Sequence, residues 1–459
     1  MNENTEKIFE EEEKLLNNNI KILENNNNIN NNNYKKFTSF DIDEKSLPKN
    51  TTIIKKLKLI YFQPLRPGSL RASIFGLVCV TLGTGMLPLP YFFKSNGILL
   101  TLIIFLICAF STLWTLKILI NLAYENKCYS YNELIGIYFN KNNFMVNYSI
   151  VVLLINSLGS IIIWNVLISK FIENIFLFFN INNKEILIVY TNLIILIFIQ
   201  IPLATFKTVS EFYIISTIGI IQIIYVVFVL IIEFPKYFKN YYKFNKNKIF
   251  LFNFNDKLIE MPNVFFIAFG NHSTILSVIY EIKNKNLNRV IKAGTGTFYF
   301  ELIIYLLIMF LSFFSTFYQT NEIFLERPKL TYLMMFGQFN MMILMICNIS
   351  LYYYMLIPLL ELFFNNNKPF ERFKNFYISA IILTILTFIS FYIKKIINIF
   401  SFIGSSAQVS LIFILPISLY LKAYGKKISK IKKFIYILIE GIFSFLGIVC
   451  FLYLLIYKI

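Results

Sequence analysis

The chain has a single histidine, His272, among 459 residues. That scarcity excludes most metal and nucleophile chemistry. There is no HExxH pair, no paired Cys/His cluster, and no Ser–His–Asp set that one imidazole could serve. The five cysteines, Cys79, Cys108, Cys128, Cys347 and Cys450, show no paired spacing, and four lie in apolar segments. Neither a disulfide framework nor a metal site is expected from them. Charge is scarce too, at 15% of residues, and it is one-sided: 25 acidic side chains against 43 basic ones, a net +18. In a soluble protein that balance would suggest nucleic acid. Here 57% of residues are hydrophobic and the mean hydropathy is +0.63, as in a polytopic membrane protein. Many cations fall in short loops between apolar runs, where they act as topology signals. The expected surroundings are therefore a lipid bilayer. No enzyme activity, cofactor, metal or nucleic-acid partner is expected. The start of the chain also lacks the apolar h-region of a cleavable signal, so the first span is expected to direct insertion itself.

What is present divides into three regions. Residues 1–50 are an acidic, Asn-rich tail, with EEEEK at 10–14 and NNNN at 25–28. Such composition builds no core and is read as disordered. Residues 51–70 form a basic juxtamembrane segment with Lys55, Lys56, Lys58 and Arg66, which predicts a cytosolic N-terminus. Residues 71–457 hold about eleven apolar segments, each near the roughly 20 residues a bilayer needs. The predicted fold class is an all-α polytopic membrane protein. With the N-terminus inside, the short loops that carry most cations fall on the cytosolic side. The loop at 234–261, with several lysines, is the exception.

Two of the spans are interrupted. The first, RASIFGLVCVTLGTGMLPLPYFF at 71–93, holds Gly83, Gly85, Pro88 and Pro90 at its middle. Proline has no N–H and its ring opposes the carbonyl four residues back, so a regular helix is not expected to run through GTGMLPLP. Freed backbone groups are tolerated at membrane depth only against protein or a water-filled cavity. They can hold a substrate or an ion there, although a Pro-kinked structural helix would show the same residues. The sixth span, MPNVFFIAFGNHSTILSVIYEIK at 261–283, carries a polar cluster from Gly270 to Thr274 five spans later. Interrupted segments at corresponding positions of two halves point to a transporter, with spans one to five and six to ten as inverted repeats and the eleventh added. His272 reads either as a buried neutral imidazole or as a proton-sensitive gate. Glu301 lies about two turns into the seventh span. An intramembrane carboxylate is a functional candidate, unless a cation such as Lys117 pairs with it. Glu281, ending the sixth span, is expected to pair with Lys283 or another loop cation.

At GTGMLPLPY (83–91), at FFIAFGNHSTILSVIYEIK (265–283), and at 376–422 with Gly404 and a turn at Leu415–Pro416, the chain resembles the amino acid/auxin permease family. The likeness runs from about residue 68 to 457. It implies a LeuT-type fold, a transporter domain, and secondary transport of an amino acid substrate across a plasma membrane or a vacuolar or lysosome-like membrane. By position it implies a substrate site around Gly83, Thr84, Gly85 and Met86, whose N–H groups would face the substrate carboxylate. Carbonyls of Ala268, Phe269 and Gly270 would face the ammonium. His272 matches a histidine of the sodium-coupled branch. Where that branch carries an Asn, this chain has Cys79, and a thiol is a poor ligand for a hard cation. Proton coupling through His272 and Glu301, with Thr81 nearby, is therefore expected over sodium coupling. Uncoupled transport and a transporter-like nutrient sensor are the alternatives.

Overall fold

The computed structural model describes residues 68–139, 143–181, 184–204, 213–245, 249–364, 372–393 and 395–458. The tail and most of the basic juxtamembrane segment lie outside these residues. Every regular element described is helical. α1 (Leu70–Gly85) and α2 (Leu89–Asn96) together make the first span. α3 (Ile98–Glu125) is the second, and a short helix α4 (Tyr131–Tyr138) leads to the third, α5 (Asn143–Phe178). α6 (Lys184–Leu203) and α7 (Tyr213–Asn245) are the fourth and fifth. α8 (Lys257–Ala268) and α9 (His272–Glu281) make the sixth, followed by α10 (Leu287–Thr316), α11 (Tyr332–Phe364) and α12 (Arg372–Tyr392). α13 (Ile396–Tyr424) and α14 (Lys430–Tyr457) complete the set. Among the described residues ten helices are long and apolar enough to cross a bilayer, and counting the bent pair α1–α2 as one span gives eleven.

The helices sort by what covers them. The most apolar stretch of α13 is 78% buried and that of the sixth span 72%, against 11% for α14 and 28% for α6 and α12. In a helix apolar all round, the faces left bare are those that meet lipid. The sixth and tenth spans therefore form the centre, and the fourth, ninth and eleventh lie at the periphery.

The packing partners repeat with an offset of five spans. The first span packs on the fifth and seventh, and the sixth on the tenth and second. The third packs on the ninth and tenth, and the eighth on the fourth and fifth. The second packs on the tenth, and the seventh on the fifth. The first meets the sixth, the second the seventh, the third the eighth and the fourth the ninth. α14 stands outside this pattern and packs on the sixth and tenth spans.

Prolines explain two of the local irregularities. The expected turn at Leu415–Pro416 is not a turn, and α13 runs through it. Pro416 cannot donate to the ladder and its ring crowds the preceding turn, so the residues just before it, Ser410–Ile414, adopt the wider π turn. Pro202 follows a π turn at Leu196–Gln200 in the same way. Gly404 lies where α13 touches α8, and a side chain there would collide with the Asn263 carbonyl.

Candidate substrate and coupling site

The first interruption falls at Met86–Pro88, after the glycines and not among them. Neither Pro88 nor Pro90 can donate to the ladder, so α1 stops at Gly85 and α2 restarts at Leu89 with Pro90 in its first turn, bent by 41°. Gly83, Thr84 and Gly85 are helical, so the N–H groups of Thr84 and Gly85 lie inside α1, where the i→i−4 ladder occupies them. Gly85 serves instead as a contact point. A Cβ there would stand 2.8 Å from Ala268 Cα and 2.8 Å from the Tyr305 hydroxyl, so it lets the ends of α1 and α8 meet. Two carbonyls at the interruption find protein donors. Thr84 accepts from Leu87 N–H at 3.1 Å, and Leu87 accepts from Phe324 N–H, in the loop between α10 and α11, at 3.2 Å. Lys94 ties α2 to the same loop through the Thr320 carbonyl at 3.0 Å.

The second interruption falls at Phe269–Asn271. Of the three carbonyls expected to face an ammonium, Ala268 accepts from the Tyr305 hydroxyl at 2.6 Å and Phe269 from Asn271 N–H at 2.8 Å. That of Gly270 has no protein donor among the described residues.

Between the two interruptions lies Glu301 of α10, wholly buried. The Thr81 hydroxyl of α1 donates to its Oε1. Asn271 Nδ2 donates to Oε1 at 2.9 Å and to Oε2 at 3.1 Å. One carboxylate thus joins both interrupted spans to the seventh. Among the described residues no cation pairs with it, and the expected partner Lys117 does not. Nor is Glu281 ion-paired. Lys283 instead donates its backbone N–H to the Gly68 carbonyl at 3.0 Å.

Beside this junction is a cavity of about 20 Å³, enough for about one water molecule. It is lined by Val80, Thr81 and Thr84 of α1, Ile267 and Gly270 of the sixth span, Ser160, Ile163 and Trp164 of α5, Tyr352 of α11 and Gln408 of α13. No carboxylate, lysine, arginine or histidine lines it. An amino acid is several times larger, so binding one requires the surrounding helices to part.

His272 is elsewhere. It is fully buried at the start of α9, with Nε2 3.1 Å from the Thr115 hydroxyl of α3. It is not among the cavity's lining residues. The Cys79 side chain faces Gly219 of α7, and its carbonyl accepts from Asn348 Nδ2 at 3.2 Å. The structure therefore brings together Thr81, Thr84, Gly270, Glu301 and the Ala268 region, and leaves His272 and Cys79 outside. Trp164, Tyr352 and Gln408, which line the cavity, and Asn156, which bonds Gln408, are not singled out by the sequence. The signal that finds the amides is an Asn or Gln within an apolar span, since such a group needs a partner or a ligand.

An all-helical membrane protein with two interrupted spans closing on a buried carboxylate is the class that fold and site define. The chain belongs to the transmembrane amino acid transporter protein family, whose model matches residues 66–459. It is similar to "Putative amino acid transporter AAT1" of Plasmodium berghei, 24% identical over 326 residues, 68% of this chain and 49% of the relative. The protein of the same name in Plasmodium falciparum is 25% identical over 313 residues, 65% of this chain and 47% of the relative. "Sodium-coupled neutral amino acid transporter 4" of Mus musculus is 26% identical over 181 residues, 38% of this chain and 33% of the relative. The chain spans about half the length of the Plasmodium relatives and a third of the mouse one.

Proposed function

We propose that this protein carries amino acids across a membrane by secondary active transport, with a proton on Glu301 as the coupling ion. The observation that carries the reading is the bridge from Thr81 and Asn271 to Glu301. A buried, unpaired carboxylate is costly at membrane depth, and either a proton or a bound cation relieves that cost. An ionised carboxylate only accepts hydrogen bonds, whereas a protonated one gains an O–H donor. Protonation therefore rewrites the contacts that hold α1 and the Phe269–Asn271 interruption against α10. The two interrupted spans are the elements that substrate must displace, so the proton and the substrate act on the same joint. The repeated packing pattern supports a five-plus-five, LeuT-type arrangement of the first ten spans.

The substrate site lies between α1 and the sixth span, with α5 and α11 supplying Ile163, Trp164 and Tyr352. Apolar and aromatic walls with no charged side chain fit amino acids whose own side chains are uncharged. The Gly270 carbonyl serves the ammonium, and the N-terminal end of α2 serves the carboxylate. With the N-terminus cytosolic, the loop over the first interruption lies on the opposite side of the membrane.

Sodium coupling is the second reading. It draws on the name of the mouse relative and on the hard oxygens that Glu301 and Thr81 offer. Purified protein in liposomes tests the activity: labelled neutral amino acids should accumulate or exchange, and labelled lysine or glutamate should not compete. A protein that binds amino acids without moving them would be a sensor.

A further inference from the structure

Gln408 carries a buried acceptor that nothing among the described residues satisfies. It sits at the end of the π turn Gly404–Gln408 in α13, is 3% exposed, and lines the cavity beside the first and sixth spans. Its Nε2 donates to Asn156 Oδ1 of α5 at 2.8 Å, and Asn156 Nδ2 donates in turn to the Ser273 hydroxyl of α9 at 3.3 Å. That chain of amides commits the nitrogen of Gln408 and leaves its oxygen free. Gln408 Oε1 has no hydrogen-bond partner among the described residues. Such an orphan is costly and is retained where something else fills it.

Its neighbour is Gly270. A Cβ on Gly270 would stand 2.6 Å from Gln408 Oε1, closer than to any other atom. The amide oxygen thus lies alongside the residue whose carbonyl is the one open acceptor of the sixth-span interruption. Gly270 and Gln408 are neighbours in the wall of the cavity, so a backbone and a side-chain acceptor without donors among the described residues belong to adjacent lining residues. A group with several N–H donors and a positive charge satisfies both, and a substrate carboxylate would be repelled there. A π turn places the side chain: the extra residue per turn shifts the register of α13, a distortion common at functional sites.

We propose that Gln408 Oε1 accepts a hydrogen bond from the α-ammonium group of the substrate, beside the Gly270 carbonyl, and that Asn156 is the positioning residue that turns the oxygen toward it. The inference rests on the transport reading above and adds a tenth-span contact to the substrate.

The test is uptake into proteoliposomes by wild type and by Gln408→Leu. Each is given an amino acid and its N-methyl analogue, which has one N–H donor fewer. A hydrogen bond to a charged group is worth roughly ten- to a hundredfold in affinity. Gln408→Leu should raise KM for the parent amino acid by about that factor, leave the maximal rate within a few fold, and compress the wild-type discrimination against the N-methyl analogue. Asn156→Ala should shift KM in the same direction. An unchanged KM, or an equal loss for parent and analogue, overturns the assignment. If Gln408→Leu fails to elute as a folded protein in size exclusion, Gly270→Ala displaces the amide and must reproduce the KM shift and the compressed discrimination. Absence of uptake by wild type would instead overturn the transport reading itself.

Discussion

The Thr81 hydroxyl donates to the Glu301 carboxylate across 220 residues of chain, from the first span to the seventh. Asn271 adds the sixth span through both carboxylate oxygens. The consequence is testable at Glu301. Glu301→Gln keeps shape and hydrogen bonding but cannot titrate, so transport should survive as exchange and lose its dependence on pH. Accumulation against a gradient should fall to background. Full pH-driven accumulation by Glu301→Gln would remove this residue from coupling.

His272 makes the contrasting prediction. Its ring faces Thr115 and not the cavity. His272→Ala should lower thermal stability, because a buried side chain is replaced by a void. It should leave the pH dependence of uptake unchanged. A shift of that profile by a pH unit or more would restore the histidine to the mechanism.

Gly85 and Gly136 give a matched pair. A Cβ at Gly85 would meet Ala268 and Tyr305 at 2.8 Å, whereas nothing lies within 4 Å of one at Gly136. Gly85→Ala should destabilise by about 1–3 kcal/mol through overpacking and slow uptake. Gly136→Ala, inside α4, should be neutral or stabilising by less than about 1 kcal/mol. Thermal unfolding in detergent reads both. Equal effects would mean that α1 and the sixth span do not close on Gly85.

The loop between α10 and α11 is locked to α7 by an ion pair. Arg327 Nη1 meets Glu233 Oε2 at 3.0 Å, with side chains 0% and 7% exposed, and the guanidinium lies 4.5 Å from the centre of the Tyr237 ring. Burial pushes the Arg327 pKa down from its ordinary value, opposed by the Glu233 carboxylate and the Tyr237 hydroxyl. Removing one partner of a buried pair is costly, about 3–5 kcal/mol. Glu233→Ala should therefore lower stability by that order and loosen the loop that bonds Leu87. Arg327→Ala with Glu233→Ala should recover part of the loss. A Glu233→Ala protein as stable as wild type would contradict the lock.

Much of this was legible in the sequence, and the misreadings have physical causes. Span number and the two interruptions follow from apolar run length and from Pro88, Pro90 and the 270–274 polar cluster, which are local signals. Within GTGMLPLP the break falls after the glycines, which permit irregular backbone without requiring it. Proline forbids the helical bond, and Met86–Pro88 is where that constraint acts. Glu301 was identifiable because a carboxylate within an apolar span is rare, but its partners were not. Thr81 and Asn271 reach it only after three spans have packed, and Lys117 forms no ion pair with it. Gln408 and Asn156 form a pair 252 residues apart. No local pattern predicts which amide will remain half-satisfied, because that depends on the register imposed by the π turn.

Sequence also set the topology expected here, with the N-terminus cytosolic. Glycosylation acceptors inserted near residue 250 and after 459 should be modified, and one inserted at 285 should not. Modification at 285 would invert the assignment.

The coupling claim is tested most directly by uptake into liposomes with the sodium and pH gradients imposed one at a time. A pH gradient alone should drive a neutral amino acid above equilibrium in wild type and not in Glu301→Gln, and a sodium gradient alone should drive neither. Accumulation driven by sodium alone, with no response to the pH gradient, would contradict the account.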